Sequence, residues 1–127
     1  MSRFKISSTA ELLSFFKENL TGDNLSIRGL ARLCGVPHTS IIRGAVLGSA
    51  ALAEKLLEQG FEGGALSENG FNSVASWLVI EYFAFDARIP TTEARQIARI
   101  LGSLGIQIAF TSLSHDNALV KALVSKF

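Results

Sequence analysis

The sequence predicts an all-α fold of about six helices, and three observations support that prediction. Of the 127 residues, 48% are hydrophobic and 18% are charged, a balance typical of a folded chain and unlike that of a disordered one. Apolar residues recur mostly at the three- and four-residue spacing of a helix. Capping residues precede most of these segments, and glycine or proline follows most of them.

The length fits a single continuous domain. We divide it into an N-terminal unit, residues 1–48, and a helical packing and dimerisation region, residues 49–127. Cys34 is the only cysteine, which excludes an internal disulfide and favours a cytoplasmic location. The apolar run at residues 76–85 is far shorter than the roughly 18 residues that cross a bilayer, so no membrane association is expected.

The first helix begins at a capping box formed by Ser8 and Glu11. The turn-forming sequence TGDN at residues 21–24 ends it. The pattern assigns its apolar face to Leu12, Leu13, Phe15, Phe16 and Leu20.

Two short helices follow, separated by a tight turn. Ser26 can cap the first, which runs to about Cys34. Gly35 can supply a left-handed turn residue, and Pro37 fits the first turn of the next helix.

A fourth helix is predicted over residues 50–60, opened by Gly48-Ser49 and ended by Gly60, with Leu52, Leu56 and Leu57 on one face. The glycine-rich segment after it contains Asn69-Gly70, a typical hairpin turn. A small β-hairpin wing is therefore expected near residues 62–71.

Two longer helices and a short amphipathic segment complete the chain. The first starts at the Ser73 cap and ends before Ile89-Pro90, and Thr91 or Thr92 opens the second. Gly102 and Gly105 either weaken this second helix or mark a close contact with another helix. Its apolar positions at helical spacing are Ile97, Ile100, Leu101, Leu104 and Ile108. A last amphipathic segment covers residues 117–127.

Positive charge is concentrated in the N-terminal third. Residues 1–46 contain six basic and three acidic residues, whereas residues 47–127 contain six basic and eight acidic residues. No acidic residue occurs between Asn24 and Ala53. Any surface that meets a polyanion is therefore expected in the first part of the chain.

The segment from Ile27 to Val46 resembles the helix-turn-helix superfamily of DNA-binding regulators. Ala31 stands where that family has a small residue, and Gly35 stands at its turn glycine. The apolar positions that bracket the two helices are matched by Leu30, Cys34, Val36 and Ile41. The stretch GVPHTSIIRG is also similar to the corresponding hairpin of small phage-type regulatory proteins, and the whole chain resembles short cyanobacterial helix-turn-helix proteins.

Gly44 departs from the family pattern, which has an apolar core residue at that position. Two explanations are open. Either Ala45 or Val46 fills the space through a shifted helix end, or the second helix is short.

The resemblance implies a site-specific regulator of transcription that binds double-stranded DNA through a recognition helix at about residues 37–45. In the family, outward residues of this helix meet base edges in the major groove. Carried over to this chain, those are His38, Thr39, Ser40, Ile42 and Arg43. Contacts to the DNA phosphates are expected from Arg28, Arg32 and Ser26.

The expected oligomer is a homodimer that pairs through residues 74–127, since such regulators bind two half-sites. No cofactor and no metal site is expected, and the chain is not expected to be an enzyme: His115-Asp116, with serines at 112 and 114, is better explained by a loop or helix cap. The expected location is the cytoplasm, at the nucleoid of a prokaryote or in a phage-infected cell. The alternative is an adaptor or phage-type antagonist that uses the helix-turn-helix as a scaffold for binding protein.

Overall fold

A computed structural model describes residues 5–47 and 51–115. It confirms a mainly helical fold with a small antiparallel hairpin. The described part of the chain holds seven α-helices, one more than predicted, and α3 and α6 each continue into a single π-helical turn, Ile42–Val46 and Tyr82–Asp86 respectively. The elements are α1 (Thr9–Asn19), β1 (Leu20–Thr21), β2 (Asn24–Leu25), α2 (Ile27–Cys34), α3 (His38–Ile41), α4 (Ala51–Glu58), α5 (Gly63–Asn69), α6 (Ser73–Glu81) and α7 (Thr92–His115).

The predicted cap of α1 is confirmed. The Glu11 N–H donates to Ser8 Oγ at 3.2 Å, and that hydroxyl donates to Glu11 Oε1 at 3.1 Å. Hydrogen bonds from Ser7 and Ser8 hold the pKa of Glu11 below its ordinary value. The buried face of the helix is narrower than predicted, because Leu13 is exposed while the core residues Leu12 and Phe15 are buried.

The small β-structure lies earlier in the chain than predicted. β1 and β2 pair through a turn in which Gly22 has φ 61°. Phe71 extends this pairing, because its N–H and carbonyl each bond to Leu25 at 2.8 Å.

The prediction of a β-hairpin wing at residues 62–71 is wrong, since residues 63–69 form α5. Gly70 ends that helix with φ 84°, so the positive φ that a hairpin turn would need serves a helix stop instead. The Asn69 carbonyl accepts a hydrogen bond from Asn24 Nδ2 at 2.9 Å. The end of α5 is therefore fixed against the hairpin at residues 20–25.

Gly60 ends α4 with φ 87°, as predicted. The predicted start of this helix, at residues 48–50, lies outside the described residues. Leu52 and Leu56 are fully buried, but Leu57 is 59% exposed and does not share their face. The Lys55 ammonium of this helix forms an ion pair with the Asp86 carboxylate at 2.6 Å.

The start of α6 differs slightly from the prediction, whereas that of α7 agrees with it. Asn72, not Ser73, caps α6, and its Oδ1 accepts the Ala75 N–H at 3.0 Å. Thr91 caps α7 by accepting the Ala94 N–H at 3.1 Å. The predicted segment at 117–127 lies outside the described residues.

The core draws side chains from both parts of the chain, with α2 at its centre. This helix packs against α3, α6 and α7. Fully buried side chains come from residues before and after position 48, among them Leu12, Leu30, Leu33, Ile41, Leu52, Leu56, Phe71 and Val79. None of the described helices is long and apolar enough to cross a membrane.

Candidate nucleic-acid interface

The segment predicted as a helix-turn-helix consists of α2, the turn at Gly35 and α3. Ser26 caps α2, with its Oγ accepting the Gly29 N–H at 3.0 Å. Gly35 follows in the left-handed region at φ 68° and ψ 34°, where a side chain would be strained. The Val36 N–H then returns to the Ala31 carbonyl at 3.1 Å, which closes the turn.

The residues that the family pattern assigns to the crossing of the two helices are the buried ones. Leu30, Cys34 and Ile41 have no exposed surface, and Ala31 is buried beside them. A small residue at position 31 leaves room for α3 to lie close against α2. Val36 is partly buried at the edge of the same cluster.

The π-helical turn explains Gly44. The Leu47 N–H bonds to the Ile42 carbonyl at 2.9 Å, five residues earlier, so the turn is wider than in an α-helix. The wider turn carries Ala45, 2% exposed, into the core position after Ile41. The first of the two explanations is therefore correct, and Ala45 is the residue that fills the space.

The outer face of α3 and its π turn carries the five predicted base-contacting residues. Thr39 and Arg43 are exposed, and His38, Ser40 and Ile42 are partly exposed. Residues three and four apart share a helix face, so Thr39 lies in line with Ile42 and Arg43. Among the described elements, α3 packs mainly on α2 and the π turn packs on α4 and α5, while Thr39 and Arg43 remain exposed.

The three predicted phosphate-contacting residues differ in their surroundings. Ser26 Oγ accepts a backbone N–H, and its own proton is available for donation. Arg28 is exposed on the groove that separates the hairpin from α5. Arg32 is held toward α1: its guanidinium lies 5.4 Å from the centre of the Phe15 ring, and Nη1 donates to Asn19 Oδ1 at 3.4 Å.

Residues 24–53 contain no acidic residue, but the fold brings an acidic side chain from α7 close to them. The Glu93 side chain of α7 lies against Gly35, so close that a Cβ on that glycine would come within 2.5 Å of the carboxyl group. Glu93 also lines a cavity of about 370 Å³ together with Lys5, Arg32 and Arg99. The sequence did not indicate that Lys5, Glu93 and Arg99 lie near α2, because all three are distant from it along the chain.

One hydrogen bond connects the turn to α7. The Thr91 hydroxyl donates to the carbonyl oxygen of Cys34 at 2.5 Å. The Cys34 thiol itself is buried, and burial raises its pKa to about 12. A thiol that resists ionisation in this way is a core side chain, as predicted, and is unsuited to nucleophilic attack.

Comparison with protein-family models, curated proteins and solved structures finds no significant match. The function of this surface is therefore inferred from its own geometry. Within residues 5–47 and 51–115, no group of three or more His, Cys, Asp or Glu side chains could hold a metal ion.

Proposed function

We propose that the chain is a homodimeric, sequence-specific regulator of transcription that binds double-stranded DNA at the nucleoid, with α3 and its π turn in the major groove. The observation that supports this most directly is the exposure of Thr39 and Arg43, with His38, Ser40 and Ile42 partly exposed beside them. These side chains stand on a segment that Ile41 and Ala45 anchor to the core. A rigid, exposed helix with several donors and acceptors suits direct readout of bases.

The side chains of this face match the chemistry of base edges. Arg43 can donate two hydrogen bonds to guanine O6 and N7, and Thr39 and Ser40 can donate or accept. His38 can donate to a base acceptor or to a phosphate. Ile42, between them, can contact the methyl group of thymine.

Arg28, Arg32 and Ser26 belong to the helix that would cross the DNA backbone. Cationic side chains at such positions neutralise phosphates and release counterions, so they raise affinity for every sequence alike. The exposed hydroxyl of Ser26 adds an uncharged donor at the start of α2.

A selection from random duplexes followed by fluorescence anisotropy at two salt concentrations tests the proposal. Arg43→Ala should lose about 1–3 kcal/mol of discrimination at one base pair, whereas Arg28→Ala should weaken binding to all duplexes and make the salt slope shallower by about one unit. Arg88→Ala is the matched control, because Arg88 is an exposed arginine outside the helix-turn-helix and its loss should change neither quantity. If the wild-type chain binds no duplex even at low salt, DNA binding is excluded.

Arg32 needs a different substitution. Because its guanidinium packs on Phe15, an alanine would remove packing as well as charge. Arg32→Gln keeps most of the side chain, and it should weaken binding to all duplexes with little change in the free energy of unfolding.

The dimer is supported by the length of DNA that one unit can contact. A single recognition helix reads a few base pairs, so two copies should bind half-sites about 34 Å apart, or a multiple of that spacing. If the chain instead co-purifies with one stoichiometric protein partner and ignores nucleic acid, the helix-turn-helix is a scaffold for protein binding and the proposal is wrong.

A further inference from the structure

The second half of α7 is an uncharged helix surface. Residues 100–114 contain no Asp, Glu, Lys, Arg or His. Within this segment Ile106 is 60% exposed and Ile108 is 46% exposed. A solvated helix normally carries charges on its outer face, so an exposed apolar segment of this length indicates an interaction surface.

The core-facing side of α7 continues into this segment. Ala94 and Ala98 are buried against the body of the domain. At about 3.6 residues per turn, Leu101, Gly105 and Ile108 follow them along the same side of the helix. The side that packs on the core in the first half of α7 is thus presented outward in the second half.

Gly102 and Gly105 have no role in the packing of the described residues. A Cβ added at either position would meet no atom within 4 Å. Glycine inside a helix costs about 1 kcal/mol relative to alanine, and no positive φ is needed here. A close helix neighbour would account for both residues.

A groove of about 750 Å³ opens where α7 leaves the body of the domain. Leu101 and Gly102 form one wall, and Phe16 and Leu20 of α1 and β1 form another. Trp77 of α6 also lines it, and the lining is mainly apolar. The groove and the exposed half of α7 are therefore one continuous apolar surface.

We propose that this surface joins two copies of the chain, with the two α7 helices antiparallel about a two-fold axis at Gly105. In this arrangement Leu101 lies beside the partner's Ala109, and Gly102 lies beside the partner's Ile108. The two glycines let the helices approach closely, while Leu101, Ile108 and Ala109 form an apolar contact on each side of the axis. The inference rests on the homodimer proposed above and assigns its interface.

A second copy fits the surface better than a charged partner does. A two-fold interface pairs a surface with itself, so with the axis at Gly105 the uncharged residues 100–110 meet the same uncharged residues of the partner. The groove beside them has one charged residue in its lining, Asp23, which is exposed. Nucleic acid or an acidic peptide would find no counter-charge there. A stable interface covers about 800 Å² on each partner, more than two short helix segments provide, so the helix end beyond the partner's Ile108 must enter the groove.

Cysteine cross-linking of the full chain tests the register. Gly105→Cys places two thiols at the axis, and mild oxidation should give a disulfide-linked dimer on a non-reducing gel. Gln107→Cys, exposed on the opposite side of α7, is the matched control and should stay largely uncrosslinked. Cys34 is buried with a raised pKa, so it does not compete.

Replacing both Gly102 and Gly105 by alanine gives a second test, because the change should stabilise an isolated helix but weaken the proposed dimer. For an isolated helix, Gly102→Ala/Gly105→Ala should strengthen the helix. For the proposed interface, two added methyl groups separate the helices, and sedimentation should show a dimer dissociation constant at least tenfold higher. Unchanged or tighter dimerisation overturns the α7 interface.

Three other outcomes also decide the matter. A wild-type chain that sediments as a monomer at all concentrations overturns both the interface and the dimer. A dimer in which Gly105→Cys does not cross-link keeps the dimer and overturns this interface. An internal disulfide in Gly105→Cys/Ala122→Cys assigns the surface to the chain's own last segment and overturns the proposal. Because anisotropy measures DNA binding separately, each outcome leaves the DNA-binding proposal to its own test.

Discussion

The Thr91 hydroxyl joins two helices that are far apart in the sequence. It donates to the Cys34 carbonyl at 2.5 Å, and Thr91 Oγ1 also accepts the Ala94 N–H at 3.1 Å. The last turn of a helix leaves carbonyls without helical partners, and the first turn leaves N–H groups without partners. One side chain therefore satisfies the end of α2 and the start of α7, and it fixes the helix-turn-helix to the longest helix of the domain.

Replacing Thr91 by valine should destabilise the domain by about 2 kcal/mol, since it removes an N-cap worth about 1 kcal/mol and leaves a carbonyl without its partner at a similar cost. Valine keeps the shape of the side chain, so packing is preserved. Thr91→Ser keeps the hydroxyl and should lose much less. Urea unfolding of both variants measures the difference, and equal loss in the two would contradict the role assigned to the hydroxyl.

Gly63 should be irreplaceable, and Gly64 should not. A Cβ on Gly63 would lie 2.1 Å from the carbonyl oxygen of Val46, a backbone atom that cannot move aside easily. Gly63→Ala should therefore cost more than about 2 kcal/mol by forcing α5 away from the π turn. At Gly64 the nearest atom is Glu62 Oε1 at 3.7 Å, so Gly64→Ala should be neutral or stabilising. Similar midpoints for the two variants in thermal unfolding would rule out this close contact.

Gly44→Ala should be tolerated, although the family pattern has a larger core residue at that position. The added Cβ would meet Leu52 Cδ2 at 3.5 Å, an ordinary contact distance. Alanine also restricts the unfolded chain, so we expect a gain of up to about 1 kcal/mol in the free energy of unfolding. Ala45→Gly is the informative comparison: it empties the occupied core position and should destabilise the domain. A larger loss at position 44 than at position 45 would show that the π turn does not set the register.

The sequence predicted correctly those features that depend on neighbouring residues. The caps at Ser8 and Ser26 and the left-handed turn at Gly35 are local hydrogen-bond and backbone requirements. Asn69-Gly70 led to the wrong prediction of a hairpin at residues 62–71, because a hairpin turn and a helix stop both need a glycine with positive φ. Only the pairing of Phe71 with Leu25 decides between them, and that contact is not local.

In the candidate site, too, local features could be predicted from the sequence and contacts between distant residues could not. The five candidate residues between positions 38 and 43 share one short segment of the chain, so the resemblance to the family pattern was enough to group them. The position of Glu93 against Gly35 could not, because it depends on how α7 packs on α2. Arg28 and Arg32 of α2, four positions apart, also have different neighbours: Arg28 borders the groove beside α5, whereas Arg32 packs on α1.

The buried thiol of Cys34 should make stability depend on pH in alkaline solution. Burial raises its pKa to about 12 in the folded chain, whereas an exposed thiol ionises near pH 8.5. Above that pH the unfolded chain loses the proton and the folded chain keeps it, so stability present below about pH 8.5 is lost as the pH rises, until ionisation of the folded state near pH 12 ends the loss. The loss attributable to this thiol should reach about 2 kcal/mol between about pH 8 and pH 10. Cys34→Ala lacks this thiol, so the free energy of unfolding of the wild type relative to the variant should fall by that amount. A constant difference across this range would mean that the thiol is open to solvent.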